Sequence, residues 1–406
     1  MKVLLVNKYH YFRGGSETYY FGLAELLRNA GHQVIFFAME DDRNIPCAQS
    51  KYFVSNVEFN GELSAMDKLK AAGRMVYSFE AKKKFDRLLT DEKPDIIHIN
   101  LFHRVLTASI VDVAKKHQIP VVFTMHDLNC ICPNHTMLDH GKICEACLHG
   151  SYLNCVKRVC FKDSRLKCLM AAVESGFNKL SDLYNKIDCF ITPSEFYKNL
   201  LMKSKLTGSQ VVHMKNFLSA DTEYSVRGSR GDYVFFFGRL SYEKGIITLL
   251  KAMTEVDAPL IIAGTGPEEE RIGETVRQLG LIDRVKLVGF QTGQALQDYI
   301  ANAGCVVIPS EWYEASGYTA CEAQAMGKPV VVTDAGGLPE NIVDGETGYI
   351  CPMFDPQALA GAINQMMALP DEAYSQMAQQ SVDNAKELFD ASVYVRKLTA
   401  IYETLR

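Results

Sequence analysis

Residues 305–332 constrain the fold more than any other stretch. Cys305-Val306-Val307-Ile308 is an unbroken apolar run, the pattern of a strand buried on both faces of a parallel sheet. A polar, turn-rich segment follows, then a helical pattern that stops at Gly327, a residue suited to the left-handed position after a helix. Pro329-Val330-Val331-Val332 reads as the next buried strand. Strand, helix and strand in such close succession predict a doubly wound α/β sheet. Two carboxylates, Glu314 and Glu322, bracket the turn, and Ser316, Gly317, Tyr318 and Thr319 lie where the helix begins. Backbone N–H groups at a helix start have no partner within the helix, and the dipole there favours negative charge. That is a seat for phosphate, with carboxylates placed to hold the hydroxyls of a polyol.

The same grammar recurs along the chain. At 406 residues two domains of about 200 residues are the natural expectation. Lys2 to Val6 predicts a central strand, Ser16 a helix cap, Gly31 the helix stop and Val34 to Phe37 the second strand. Gly14-Gly15 lies between the first strand and helix, at the carboxyl edge where open α/β sheets bind ligands. It is either a tight turn or part of a ligand site, and it is neither a Walker loop nor a dinucleotide fingerprint. Further strands are expected at 95–99, 119–124, 188–192 and 210–213, and Lys215 to Gly231 reads as a linker. Tyr233 to Phe237 opens a second sheet. The segment after it, Gly238-Arg239-Leu240-Ser241-Tyr242-Glu243-Lys244-Gly245, sets two cations at a helix start. Arg offers a planar fork for phosphate oxygens and Lys a point charge, a pairing suited to a diphosphate. The loops at Gly264 to Pro267, with Pro267 expected to open the next helix, and at Gly289-Phe290 end strands at the same edge.

These stretches together resemble the retaining glycosyltransferases of family four. The match lies in Glu314 and Glu322 at the Glu-x7-Glu spacing, in Pro309-Ser310 before it and Gly327-x-Pro329-Val330-Val331 after it, and in Gly238-Arg239-Leu240 with Lys244-Gly245. The resemblance spans nearly the whole chain. It implies the GT-B fold, two Rossmann-like doubly wound domains facing a central cleft. It assigns 1–215 to an acceptor domain and 216–389 to a nucleotide-sugar domain, with a terminal helix at 390–406 crossing back to the first. It implies transfer of a sugar from a nucleoside diphosphate sugar to an acceptor, with no cofactor or metal in catalysis. The roles it carries over are stabilisation of the leaving diphosphate for Arg239 and Lys244, donor-sugar hydroxyls for Glu314, ribose for Glu322 and phosphate for Ser316 to Thr319. Gly15, Gly264 and Phe290 would shape the donor site, and His126, after the strand ending at Thr124, would touch the sugar. Asp127 is expected to orient that loop. The family's habits point to a lipid-linked glycan of an envelope polysaccharide as acceptor. A sugar-nucleotide epimerase of the same fold, or a non-catalytic nucleotide-sugar binding protein, is the alternative.

Composition limits the setting. No run of apolar residues reaches membrane-spanning length, and the expectation is a cytoplasmic protein, at most touching the inner face of an anionic membrane. Residues 1–216 carry 29 Lys and Arg against 22 Asp and Glu, while 217–406 carry 14 against 26. A basic first half suits anionic lipid or a diphosphate-bearing acceptor, and nucleic acid is not expected as a partner. Residues 64–90 concentrate Lys68, Lys70, Arg74, Lys82, Lys83, Lys84 and Arg87 among apolar residues. They form either a membrane-docking element or the solvated outer helix of a sheet. Seven of the twelve cysteines fall between Cys130 and Cys168, in an insertion of about those bounds. Cys144-x2-Cys147 has chelating spacing, and with Cys132 and Cys155 it makes a candidate structural zinc site. Free thiols, or disulfide or redox use, are the other readings.

Overall fold

The computed structural model describes residues 1–56 and 73–406. The chain divides into two compact units, one made of residues 1–214 and 391–406 and the other of residues 215–390.

The first unit is built on six parallel strands, β1 (Lys2–Val6), β2 (Gln33–Phe37), β3 (Ile96–Ile99), β4 (Val121–Thr124), β7 (Cys189–Thr192) and β8 (Gln210–His213), in the order β2-β1-β3-β4-β7-β8. The intervening β5 (Leu138–Asp139) and β6 (Lys142–Ile143) form a small antiparallel hairpin in the Cys-rich segment. Val3 to Val6 and all of β3, β4 and β7 are buried, which is why these strands read as continuous apolar runs. The Gly15–Asn29 helix begins one residue before the cap that Ser16 suggested. Ser16 Oγ donates to Glu17 Oε1 (3.0 Å), and the Gly14 carbonyl takes the N–H groups of Glu17 and Thr18 (both 3.1 Å).

The Phe79–Glu92 helix turns Ala81, Phe85, Leu88 and Leu89 inward, and part of the basic patch is paired. Lys84 pairs with Glu40 (3.0 Å) and Glu80 (3.1 Å), and Arg74 with Glu80 (2.6 Å). This is the outer helix of a sheet. Lys68 and Lys70 lie outside the described residues.

The Ala391–Leu405 helix closes the first unit. It delivers Tyr402 to His98 Nδ1 and Tyr394 to the Tyr19 hydroxyl. His98 Nε2 meets Thr124 Oγ1 at 2.7 Å, so both nitrogens of this fully buried ring are satisfied.

The second unit carries β9 (Val234–Phe237), β10 (Leu260–Ala263), β11 (Val285–Gly289), β12 (Cys305–Ile308), β13 (Val330–Thr333) and β14 (Gly348–Cys351), all parallel, in the order β11-β10-β9-β12-β13-β14. This is the strand order of a dinucleotide-binding sheet. The order reverses between β9 and β12, and ligands of open α/β sheets bind outside the carboxyl ends at such a reversal. Two apolar cores, one on each face of the sheet, fix its position.

Candidate active site

The loops that leave β9 and β12 are joined at the reversal point. After β9 the backbone makes a short helical turn, Tyr242–Lys244, and then Gly245 adopts φ +67°. A Cβ at Gly245 would stand 1.8 Å from the Pro309 carbonyl oxygen, so only glycine lets the two loops approach this closely. Glu311 N–H donates to the Glu243 carbonyl (2.8 Å), and Thr248 Oγ1 donates to Glu311.

This joint delivers Lys244 to Glu314. Lys244 Nζ lies 2.6 Å from Glu314 Oε1, and Ser310 Oγ donates to the same oxygen at 2.6 Å. The ammonium also stands 5.4 Å from the centre of the Trp312 ring. Burial opposes ionisation of Glu314, but the Lys244 charge and the hydrogen bonds from Lys244 and Ser310 outweigh it and hold the carboxyl below the ordinary carboxylate range. Lys244 therefore does not pair with its neighbour Glu243, whose carboxylate accepts instead from Ser241 Oγ at 2.6 Å. Arg239 is exposed, and its side chain has no hydrogen bond or ion pair among the described residues.

The following helix runs from Tyr318 to Ala325 with Gly317 before it at φ +79°. Ser316 is buried, its carbonyl held by Asn341 Nδ2, while its hydroxyl has no partner among the described residues. The N–H groups of the first turn lie beyond the carboxyl end of β12. Glu322 sits half-buried and without a hydrogen bond among the described residues, and burial pushes its carboxyl up to about 7.

The neighbouring loops form a ledge. Gly238 N–H donates to the Ala263 carbonyl (3.0 Å), Leu240 N–H to Thr265 (3.0 Å) and Gly264 N–H to Gly289 (2.7 Å). A Cβ on Gly264 would stand 1.8 Å from the Gly238 carbonyl oxygen. Phe290, next in line, is exposed. Pro267 lies in the turn after Gly264, and the helix begins only at Glu269. Glu269 Oε1 accepts from Gly266 N–H at 2.7 Å, which fixes the turn.

In the first unit the strand order reverses between β1 and β3, and a second polar group gathers there. Asn7, after β1, accepts from Leu101 N–H (3.2 Å) and donates to Glu17 Oε1 (3.2 Å). Asn100, after β3, meets His126 Nε2 at 2.9 Å. The Tyr19 ring packs edge-on against the imidazole at 4.6 Å. Burial pushes the His126 pKa down to about 3, so the ring is neutral at neutral pH. With Asn100 Oδ1 as acceptor, Nε2 carries the proton and Nδ1 faces out as an acceptor, with no partner among the described residues. A hydroxyl group is the complementary ligand. Asp127 binds Asn129 through its backbone N–H (3.0 Å) and side-chain amide (2.6 Å), an arrangement that shapes the loop. Gly15 opens the Gly15–Asn29 helix beside Glu17.

The sequence reading gave no role to Asn7, Asn100, Glu311 or Asn341, and it named Ser310 only as part of the family match. Their importance comes from contacts between loops.

The cysteines do not assemble as the spacing suggested. Among the described residues no three His, Cys, Asp or Glu side chains come together as metal ligands. Cys155 lies beside Cys160 and Cys168, and Cys160 Sγ donates to the Cys155 carbonyl at 3.9 Å. Cys168 is buried on the Arg165–Leu180 helix.

Residues 13–221 match the family model described as Glycosyltransferase Family 4, and residues 223–387 match that described as Glycosyl transferases group 1. The chain is a family-four glycosyltransferase. An uncharacterized glycosyltransferase of Methanocaldococcus jannaschii is 31% identical to it over 300 residues, 72% of this chain and 71% of that one. A 42.6 kDa protein of the cps region of Klebsiella pneumoniae is 25% identical over 355 residues, 84% and 87% of the two chains. Among solved structures, that of Anabaena HepE with UDP and glucose aligns over the whole of both chains at a TM-score of 0.69 and 18% identity. The glycosyltransferase therefore has the GT-B fold, with one Rossmann-like sheet in each unit, and it acts as a sugar transferase.

Proposed function

We propose that this glycosyltransferase moves a hexose-type unit from a nucleoside diphosphate sugar to a glycan acceptor, with retention of configuration and without a catalytic metal ion. The observation that carries the proposal is the Lys244–Glu314 pair at the reversal point of the second sheet, with Arg239 exposed on the loop that carries Lys244 and a helix start at Tyr318 following Glu314. When the bond between the sugar and the diphosphate breaks, negative charge develops on the departing oxygen. Lys244, already fixed by Glu314, stabilises that charge with little reorganisation, and Arg239 and the helix start add to it. Glu314 is committed to Lys244 and Ser310, which suits it to hold a sugar hydroxyl and not to attack the sugar. The acceptor hydroxyl then arrives on the face from which the diphosphate leaves, and its proton passes to the departing phosphate oxygen. Glu322 takes the ribose, and the acceptor nitrogen of His126 in the first unit suits a hydroxyl group.

The UDP bound to HepE supports a nucleotide donor. The relative from the cps region supports an envelope-polysaccharide acceptor, which we take to be lipid-linked.

A thermal-shift panel of nucleoside diphosphates and their sugars, run in a chelator, tests the donor site. A ligand at about a hundred times its Kd adds roughly 2.7 kcal/mol of stability. Arg239→Ala should abolish the shift while leaving the unliganded midpoint in place, because the side chain is exposed and unpaired. A wild-type protein that no nucleotide shifts, or a shift retained in the variant, would overturn the assignment. Proton NMR of the transferred linkage then reads retention or inversion. Conversion of the donor without acceptor would point to an epimerase.

A further inference from the structure

The Arg165–Leu180 helix is amphipathic the wrong way round. Its buried face carries Cys168, Ala171, Ala172, Glu174, Ser175 and Asn178, which are small or polar. Glu174 fits there because Arg104 covers it, with the Arg104 N–H 2.8 Å from Oε1 and Nε 3.5 Å from Oε2. The large apolar residues point outward instead. Leu166 is 67% exposed, Leu169 45%, Val173 50% and Leu180 89%. Met170 and Phe177 lie half-buried along the same stripe, since positions 166, 169, 170, 173, 177 and 180 fall within about 100° of one another on a helix of 3.6 residues per turn. The stripe continues past this helix. Phe177 meets Tyr77 edge-on at 5.8 Å, and Tyr77 meets Phe79, which is 75% exposed.

The charges around the stripe are predominantly positive. Residues 153–180 contain six Lys and Arg against Asp163 and the buried Glu174. Lys157, Lys162, Arg165, Lys167 and Lys179 form no ion pair among the described residues. By contrast, Arg74 and Lys84 of the 64–90 patch are paired from within the fold.

We propose that this face docks on the surface of an anionic phospholipid bilayer, with the helix lying in the interface. Exposed leucines flanked by unpaired cations match the two components of such a surface, an apolar boundary layer and negative head groups. A solvated helix with this stripe would leave its apolar residues in water, and a neutral protein partner would leave the cations unanswered. Vesicle binding needs neither donor nor acceptor, so it stands or falls separately from the transfer chemistry.

The test is co-sedimentation of the full chain with vesicles of phosphatidylcholine containing phosphatidylglycerol, and of phosphatidylcholine alone. Wild type should partition onto the anionic vesicles, and added salt should weaken the binding. The triple variant Leu169→Gln, Val173→Gln, Leu180→Gln should lose roughly tenfold or more of that partition. Its thermal midpoint should not fall, because the replaced side chains are exposed. Arg165→Glu with Lys167→Glu should reduce binding to the level seen on neutral vesicles. Wild type left in the supernatant with both vesicles, or triple and charge variants that bind as wild type does, would overturn the proposal. Sedimentation velocity covers the rival occupant. A wild-type dimer that the triple variant dissolves, with no vesicle binding, would assign the face to a second copy of the chain.

Discussion

Lys244 is held before any ligand arrives. Its charge is shared by the Glu314 carboxylate and the Trp312 ring, so a phosphate entering the site finds a cation already aimed and partly desolvated. Both residues stood out in the sequence because their motifs are local. Their pairing did not, because 70 residues separate them, and the nearer Glu243 was the obvious partner on spacing alone. The same holds for His126, legible as a histidine at a strand end, and for Asn100, which decides its tautomer and was not. Glu322 differs from Glu314 in having no cation to offset burial. Its carboxyl is pushed up from 4.5 to about 7, so between those values the folded chain holds a proton that the unfolded chain has released. Stability contributed by the protonated group is full at the low end of that window and is lost as pH rises through it. Urea unfolding at pH 5 and pH 8 should show wild type losing on the order of 1–3 kcal/mol more than Glu322→Gln does.

Elements were legible where burial was continuous and illegible where it was not. The apolar runs of β1, β4, β9 and β12 declared themselves because both faces of each strand are covered. The β5–β6 hairpin has two residues per strand and gives no periodic signal. The Arg165–Leu180 helix carries its signal in reverse, with a periodic apolar stripe that marks the outside. The Ala391–Leu405 helix was legible as a helix, but the sequence did not reveal that its Tyr402 completes the hydrogen bonding of His98. Burial pushes the His98 pKa down to about 3, so the ring stays neutral and needs both partners. Tyr402→Phe keeps the packing and removes one of them, leaving Nδ1 buried and unsatisfied. The expected cost is about 1–3 kcal/mol by chemical unfolding, and an unchanged midpoint would mean that water replaces the hydroxyl.

At the scale of the whole molecule, charge and sulfur are both unevenly distributed. The basic balance lies in the first half and the acidic balance in the second. The excess of cations on the Cys-rich segment and its following helix is part of the reason. All twelve cysteines are free, and nine are buried, leaving Cys47, Cys144 and Cys160 partly accessible. Burial raises the Cys132, Cys305 and Cys351 thiols to about 12, and the Cys189 thiol to about 11. Thiolates are the reactive form. A disulfide-exchange reagent added to native protein should therefore titrate about three thiols quickly and the remainder only after unfolding. A fast phase confined to Cys47, together with metal released on unfolding, would instead reveal a bound ion on Cys144 and Cys160.

The stitched ledge at the carboxyl edge of the second sheet has a consequence for how such an enzyme changes over generations. Gly245 abuts Pro309 and Gly264 abuts Gly238, while Gly264 is also bonded to Gly289. A substitution in one loop is therefore felt at once by the next. Altering the donor preference of this scaffold is then not a matter of independent point changes. Loops taken from a relative should transplant as a set, and single-loop chimaeras should be the poor folders among them.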